Sequence, residues 1–331
     1  MQSSHSLPTL SVIMSSFNYA HYITEAIEAM TAQSYKPLEI FIIDDCSSDN
    51  SSEIISRFAD KFDNIIFVQN KTNIGGLAVA NMGLHMAHGD YVYFAAADDI
   101  VLPGFFEKSM KLISLYPDSG FCMSDYMIYY EHVNKYSGKR LNLSSKSCFV
   151  EPLVLLNVLR DRDIHIAGQT IIMKRSVMLE IGNFDLDLGS QADWFVDFIA
   201  CFRHGVCYIP ETLAISRVHS NNFYSVKNNK KIKLLYKSID NMLQLINSPK
   251  YLDVSSFFKD SAILSRYRII AIKYLIVNKK YINFLTPLLI KRALINELFY
   301  HISFLVPVCL KKLYNYIYNY PVLPRQINRS K

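Results

Sequence analysis

The first hundred residues alternate short apolar runs with polar turns. Runs rich in β-branched residues predict buried strands at residues 10–14, 39–43, 64–68 and 91–95. Stretches with helical spacing between them predict helices at residues 23–32, 53–62 and 78–88. Because strands that alternate with helices form βαβ units, the pattern predicts an α/β fold with a largely parallel sheet.

Three of these strands end in turns that carry polar side chains. They are Ser15 and Asn18 after the first strand, Asp44 and Asp45 after the second, and Asp98 and Asp99 after the fourth. Ligands of open α/β sheets bind beyond the carboxyl ends of the strands, so these turns are expected to meet at one edge.

The acidic pair is the most informative of these turns. In the stretch VYFAAADDIVLP, Asp98 and Asp99 follow a strand that is apolar enough to be buried. Buried carboxylates need a positive partner, and the simplest candidate here is a divalent metal ion. A solvated turn remains the alternative for Asp98 and Asp99, and helix capping remains the alternative for Asp44 and Asp45.

Charge divides the chain into an acidic front and a basic back. Residues 1–221 contain 16 Lys and Arg against 25 Asp and Glu, whereas residues 222–331 contain 19 against 4. The six cysteines are scattered without a CxxC pair, which argues against a disulfide framework or a zinc site and favours a reducing compartment. The first thirty residues lack the pattern of a secretory signal.

The basic back predicts helices in which Lys and Arg alternate with Leu, Ile, Tyr and Phe. Its most apolar window, Leu298–Leu310, is thirteen residues long and too short to span a bilayer. A basic amphipathic segment of this kind is typical of peripheral membrane attachment, and helices packed on the first domain are the alternative. No nucleic-acid-binding motif accompanies the charge, so nucleic acid is not expected as a partner.

Five stretches in order resemble the family 2 glycosyltransferases of the GT-A fold. They are LSVIMSSFNYAHYITEAI, LEIFIIDDCSSDNS, NIGGLAVANMGLHMAHGDYVYFAAADDIVLP, IIMKRSVMLEIGNFD and LAISRVHSNN, spread over residues 8–222. The resemblance implies a GT-A nucleotide-sugar-binding fold at residues 1–225, with the donor side at about 8–103 and the acceptor side at about 104–225. A helical extension at 226–331 would follow.

The resemblance also implies roles for single residues. Contacts to the nucleotide sugar would come from Ser15, Asn18, Asp44, Asp45, Asn73, Gly75, Asn81 and Asp98. A divalent metal, Mn²⁺ or Mg²⁺, would be held by Asp98, Asp99 and His219. Asp193 would be the general base, and Trp194 beside it would either stack on a sugar or lie in the core.

Two positions depart from the family pattern. Ala96 stands where the family has the first acid of its DxD motif, and Ala80 stands where an Arg usually precedes Asn81. Ala96 lacks the carboxylate that could contact the metal or the ribose in this family, and Asp99 could supply that contact instead.

The sequence therefore predicts a metal-dependent inverting glycosyltransferase. It would move a sugar from a nucleotide-sugar donor, UDP-linked, to a saccharide hydroxyl, with a lipid-linked acceptor in cell-surface polysaccharide synthesis. The expected location is the cytoplasmic face of the cell membrane. A silent membrane-associated scaffold and a sugar-phosphate nucleotidyltransferase remain the alternatives, although SSFNYAHY lacks the glycine and lysine that a nucleotidyltransferase loop needs.

Overall fold

A computed structural model describes residues 7–219 and 230–302. The strands are β1 Leu10–Ser16, β2 Glu39–Asp44, β3 Ile65–Gln69, β4 Tyr91–Ala96, β5 Ile100–Val101, β6 Phe121–Tyr130, β7 Lys135–Lys139, β8 Cys148–Val150, β9 Ile172–Lys174 and β10 Val206–Val218. The helices are α1 Ile23–Thr31, α2 Ser51–Lys61, α3 Gly76–Met86, α4 Phe105–Leu115, α5 Pro152–Asp161, α6 Arg175–Ile181, α7 Ala192–His204, α8 Lys230–Ile246, α9 Leu252–Asp260, α10 Ile269–Val277 and α11 Pro287–Ile302. Short 3₁₀ helices include Leu186–Gln191 and Lys279–Phe284.

The described strands form one mixed sheet, with the path β3-β2-β1-β4-β9-β6-β10-β5. β3, β2, β1 and β4 run parallel, as the alternation of strands and helices predicts. β9 runs antiparallel to both β4 and β6, and it joins the parallel part to the long β10 through β6. The sheet thus places the carboxyl ends of β1, β2 and β4 side by side.

Burial explains why the parallel strands are almost wholly apolar. Helices cover the sheet at β1, and the first five residues of β1 are all buried. α3 approaches β1 very closely at Gly83, where an added Cβ would lie 2.4 Å from Ile13 Cγ2. Only a glycine permits this approach, which fixes the height of α3 above the sheet.

Two cysteines face each other inside the sheet. Cys122 of β6 pairs in register with Cys207 of β10, and both side chains are fully buried. Burial raises the pKa of both thiols, that of Cys207 to about 11. All three of Cys46, Cys122 and Cys207 are free thiols, but only Cys46 among these three is exposed.

The chain divides into two compact units. One comprises residues 1–155 and 166–242 and contains the sheet, and the other comprises residues 156–165 and 243–331. The described part of the second unit is helical, as predicted. The predicted boundary at residue 225 lies outside the described residues and stays a prediction, as do the properties of residues 303–310 in the apolar window.

Within residues 7–219 and 230–302, every helix is too short or too polar to cross a membrane.

Candidate active site

An arginine and a histidine at the end of β10 lie against the acidic turn after β4. β5 pairs antiparallel with β10, and this short ladder brings Arg217 and His219 beside Asp98 and Asp99. Arg217 N donates to Asp99 Oδ1 at 2.8 Å, and Arg217 Nε donates to the Asp98 carbonyl at 3.0 Å. His219 Nε2 lies 3.0 Å from Asp98 Oδ2. The groups that face the two buried acids are therefore an arginine and a histidine of the same strand end.

Burial sets the electrostatics of this turn. The side chains of His219 and Asp98 are 1% and 9% exposed. Burial and the neighbouring Asp98 charge raise the pKa of Asp99 to about 8, although the hydrogen bond from Arg217 N acts in the opposite direction. The Asp99 carboxyl consequently resists ionisation in this buried turn.

Tyrosines from the turn after β1 line the same place. The Tyr22 ring lies 4.5 Å from the His219 ring, and Tyr19 meets His219 edge-on at 6.3 Å. Tyr22 Oη donates to Glu131 Oε2 at 2.9 Å. Burial and the Glu131 contact raise the pKa of Tyr22 to about 12, so this phenol stays protonated at neutral pH.

The Asp98–His219 pair has the chemistry and spacing of two metal ligands. Ligands about 2.1 Å from an ion with octahedral geometry lie about 3.0 Å apart at adjacent positions, which matches the observed separation of Asp98 Oδ2 from His219 Nε2. Asp99 Oδ1 is directed to the Arg217 backbone instead. Among the residues of 7–219 and 230–302, no three His, Cys, Asp or Glu side chains cluster closely enough to hold an ion. The protein thus offers two ligands here, and a bound diphosphate would have to supply others.

Asp45 organises the loop that precedes α3. Its side chain is almost completely buried, and it accepts hydrogen bonds from Asn70 Nδ2 at 2.8 Å, Ile74 N at 3.0 Å and Gly75 N at 2.8 Å. Gly75 has a φ of 88°, which favours glycine at the start of the helix. The predicted nucleotide-binding residues Asp45 and Gly75 are therefore joined directly to each other. Asn73 lies exposed in the same loop.

The turns after β1 and β2 are also joined. Asp44 accepts from Ser47 N at 3.0 Å and from Ser52 Oγ at 2.9 Å, so it fixes the turn that leads into α2. Asn18 has a left-handed φ of 59°, and its Oδ1 accepts from Ser48 N at 2.8 Å. Ser15 lies in register with Ala96 at the end of β4. These three predicted side chains thus lie at the ends of neighbouring strands or in the turns that follow, at the same sheet edge as Asp98.

Asn81 contacts the backbone of Phe184, and its contact with the nucleotide sugar stays a prediction. Its amide donates to the Phe184 carbonyl at 2.8 Å and accepts from Phe184 N at 2.9 Å. Both polar atoms of the side chain therefore hold the segment at 184, which leads through the 3₁₀ helix Leu186–Gln191 to Asp193. Asn81 connects α3 to the segment that carries the predicted base.

Asp193 lies in the first turn of α7 and is half-buried. Its Oδ1 accepts from Trp194 N at 2.7 Å. An ion pair with Arg175 or Arg203 is the structural alternative that the sequence offers for Asp193, and Arg203 lies 3.1 Å from Glu180. Trp194 is buried and packs edge-on against Phe198 at 5.1 Å, so of its two predicted settings the structure shows the core.

Arg217 was missed by the sequence reasoning. In the tripeptide RVH, Arg217 and His219 are two residues apart on a strand, so their side chains share one face. That spacing could have suggested that both face the acidic turn, but only the histidine had a family precedent. Arg217 also lies over Tyr22, with its Cζ 5.0 Å from the ring centroid.

Comparison with known proteins places these features in a family. The profile described as glycosyl transferase family 2 matches residues 11–181. An uncharacterized glycosyltransferase of Haemophilus influenzae is 36% identical over 107 residues, which are 32% of this chain and 43% of that protein. The minor teichoic acid biosynthesis protein GgaB of Bacillus subtilis is 37% identical over 103 residues, which are 30% of this chain and 11% of GgaB. The chain spans less than half the length of both relatives.

Solved structures share the fold at low sequence identity. TarS 1–349 of S. aureus in complex with UDP-GlcNAc has a TM-score of 0.62 at 18% identity, covering 93% of this chain and 87% of TarS. The mannosyltransferase PcManGT of Pyrobaculum calidifontis in complex with GDP-Man and Mn²⁺ has a TM-score of 0.56 at 16% identity, covering 94% of this chain and 79% of PcManGT. The likeness confirms the predicted GT-A fold. The family profile matches more than half of the residues of this chain, which therefore belongs to glycosyl transferase family 2.

Proposed function

We propose that the chain transfers a sugar from a UDP-linked donor to a hydroxyl of a saccharide acceptor, with inversion at the anomeric carbon. The observation that carries the proposal is the buried Asp98–His219 pair, which lies beyond β4 at the sheet edge that also holds the Asp45 loop. The UDP-GlcNAc complex of TarS supports a UDP-linked donor, and the GgaB match supports a place in cell-surface polysaccharide synthesis.

Asp98 and His219 would hold a divalent ion, Mn²⁺ or Mg²⁺, together with the donor diphosphate. When bound, this ion neutralises charge that develops on the leaving diphosphate. Arg217 holds the Asp98 carbonyl and the Asp99 carboxyl, so it orients the acidic turn before any donor arrives. The Mn²⁺ complex of PcManGT supports a metal in this role.

Asp193 would act as the general base. As the bond between C1 and the diphosphate oxygen breaks, the acceptor oxygen bonds to C1 from the opposite face and its proton passes to the Asp193 carboxylate. A single displacement of this kind inverts the anomeric centre. Asn81 would position the base indirectly, because it holds the segment that leads to α7.

The proposed class of acceptor rests on the charge of the chain and not on a contact in the site. We propose a lipid-linked saccharide at the cytoplasmic face of the membrane, since the basic back of the chain, residues 222–331, suits an anionic lipid surface. A panel of UDP, GDP, CMP and TDP sugars with Mn²⁺ in a thermal-shift assay identifies the donor, because a ligand that binds the native state raises its stability.

Asp98→Ala tests the metal-binding part. We expect it to abolish the Mn²⁺-dependent gain in UDP affinity measured by calorimetry, because it removes one of two protein ligands. Asp98→Asn keeps the shape of the side chain and guards against a folding defect, and Asp118→Ala, at an exposed aspartate, is the matched control. A wild-type Mn²⁺ effect in both Asp98 variants would remove Asp98 from the site.

Asp193→Asn tests the base. Donor affinity should stay unchanged while turnover falls by about 10²–10⁴-fold. Asp187→Asn is the control, because Asp187 is an exposed acid nearby that pairs with Lys237. Wild-type turnover in Asp193→Asn would return this residue to a structural role.

A further inference from the structure

An apolar corner protrudes from the helical second unit where α10 ends. The side chains of Ile276, Val277 and Ile282 there are 53%, 79% and 48% exposed. They lie within seven residues, on the last turn of α10 and the 3₁₀ helix that follows. Large aliphatic side chains grouped at this exposure indicate a surface that meets something other than water.

The corner is held rigidly by its neighbours. Tyr274, Leu275, Tyr281 and Phe284 alternate with the exposed residues and are buried in the unit. Asn278 N donates to the Tyr274 carbonyl at 2.9 Å, and Tyr281 N donates to the Asn278 carbonyl at 2.9 Å, so the turn is closed. The aliphatic tips are thus presented by a fixed backbone and need no refolding to engage a partner.

Positive charge surrounds these tips. Lys273, Lys279 and Lys280 are exposed on either side of Ile276 and Val277. The whole stretch 261–296 contains seven Lys and Arg and no Asp or Glu.

Three of the five Asp and Glu residues of the second unit form ion pairs with arginines. Asp163 pairs with Arg292, Asp260 with Arg160 and Glu297 with Arg268. Compensation of the corner's lysines by these three acids is therefore limited, and the sequence around the corner supplies only basic charges.

We propose that this corner, residues 273–282, docks on an anionic lipid bilayer surface. Aliphatic tips that enter the acyl boundary and lysines that remain at the headgroups are the two components of interfacial binding. A second copy of the chain fits less well, because the same lysines would repel their counterparts across a shared interface. The inference does not depend on the transfer reaction, since docking requires neither donor nor acceptor.

Vesicle flotation of the full chain tests the proposal. Vesicles of phosphatidylcholine with and without phosphatidylglycerol are compared over a salt series. We expect binding only to the anionic vesicles, falling as salt rises. Lys273→Ala, Lys279→Ala and Lys280→Ala combined should weaken binding by roughly a hundredfold, at about fivefold for each lysine near the surface. Ile276→Ser with Val277→Ser should weaken it by roughly tenfold or more.

Matched variants separate the corner from charge and apolarity in general. Lys61→Ala, Lys111→Ala and Lys135→Ala combined remove three exposed lysines elsewhere, and Leu38→Ser with Leu115→Ser remove two exposed aliphatic side chains. These controls should bind vesicles within about twofold of wild type. Thermal melting of every variant establishes that it is folded.

Three results would overturn the proposal. They are absence of binding to anionic vesicles, equal loss in the corner and control variants, and a wild-type dimer in light scattering that the Ile276 and Val277 variant converts to a monomer. Calorimetry with UDP on the same samples keeps failure of docking distinguishable from failure of the proposed transfer function.

Discussion

Arg217→Ala should cost far more stability than loss of an ordinary surface arginine. The side chain is 11% exposed, and its Nε donates to the Asp98 carbonyl while its Nη2 lies 2.5 Å from Glu25 Oε2. A hydrogen bond from a charged donor contributes about 1.5–3 kcal/mol, and the contact with Tyr22 contributes about 0.5–1 kcal/mol. The pair with the more exposed Glu25 adds about 0–1 kcal/mol. The expected loss is therefore about 3 kcal/mol.

Urea unfolding measures this loss as a lower midpoint at an unchanged slope. Arg57→Ala is the matched control, because Arg57 forms an exposed pair with Glu53 one helical turn away and should cost about 0.3–0.5 kcal/mol. Arg217→Lys should recover only part of the loss, since an ammonium cannot reproduce the planar fork. A cost for Arg217→Ala no greater than that for Arg57→Ala would show that the contacts at the acidic turn contribute little, and the reasoning would fail.

Two further predictions concern the sheet that supports the site. Burial opposes ionisation of Glu39, but hydrogen bonds from Ser11 Oγ and His88 outweigh it and lower the carboxyl pKa. A pKa that is lower in the folded state stabilises the protein above the unfolded-state pKa, and this stabilisation is lost as pH falls through the folded-state pKa. Glu39→Gln should therefore lower the free energy of unfolding by about 1–3 kcal/mol at pH 7, and its difference from wild type should disappear in acid. The control Glu53→Gln should change little in urea unfolding at either pH. An added Cβ at Gly89 would lie 2.6 Å from Ser11 N, so Gly89→Ala should lower the free energy of unfolding by about 1–3 kcal/mol. The control Gly138→Ala, which has open space around it, should be near neutral in thermal melting. Equal melting temperatures for the two variants would contradict the close approach.

Local pattern was sufficient for the parallel half of the sheet. β1, β2, β3 and β4 begin and end within about two residues of their predicted bounds, because each is an apolar run bounded by polar turns. The sequence reasoning assigned no strands to residues 121–218, where β6 and β10 carry several polar residues and pair across more than eighty positions. Their partners are set by tertiary contact rather than by local pattern.

The candidate site divides in the same way. Asp45 and Asp98 follow predicted strands, so their meeting edge could be predicted from topology, whereas His219 was expected there only from the family resemblance. The contact of Arg217 with Asp98 joins residues 119 positions apart, and the two hydrogen bonds between Asn81 and Phe184 join residues 103 positions apart. Similarly, Asp163 and Arg292 lie 129 positions apart within the second unit, which a division by charge along the chain could not anticipate.

The buried thiols of Cys122 in β6 and Cys207 in β10 can report when the sheet opens, because a thiol-specific dye reaches them only then. Cys46 is exposed and should react quickly with a thiol-specific dye, whereas Cys122 and Cys207 are buried with raised pKa values and should react only when the two strands separate. In a background in which Cys46, Cys148, Cys201 and Cys309 are replaced by Ala, the labelling rate of Cys122 and Cys207 would therefore count the rare events in which the centre of the sheet comes apart. A ligand that binds only the closed sheet would slow that labelling in proportion to its occupancy, so the dye offers a label-based affinity measurement that needs neither turnover nor an identified acceptor.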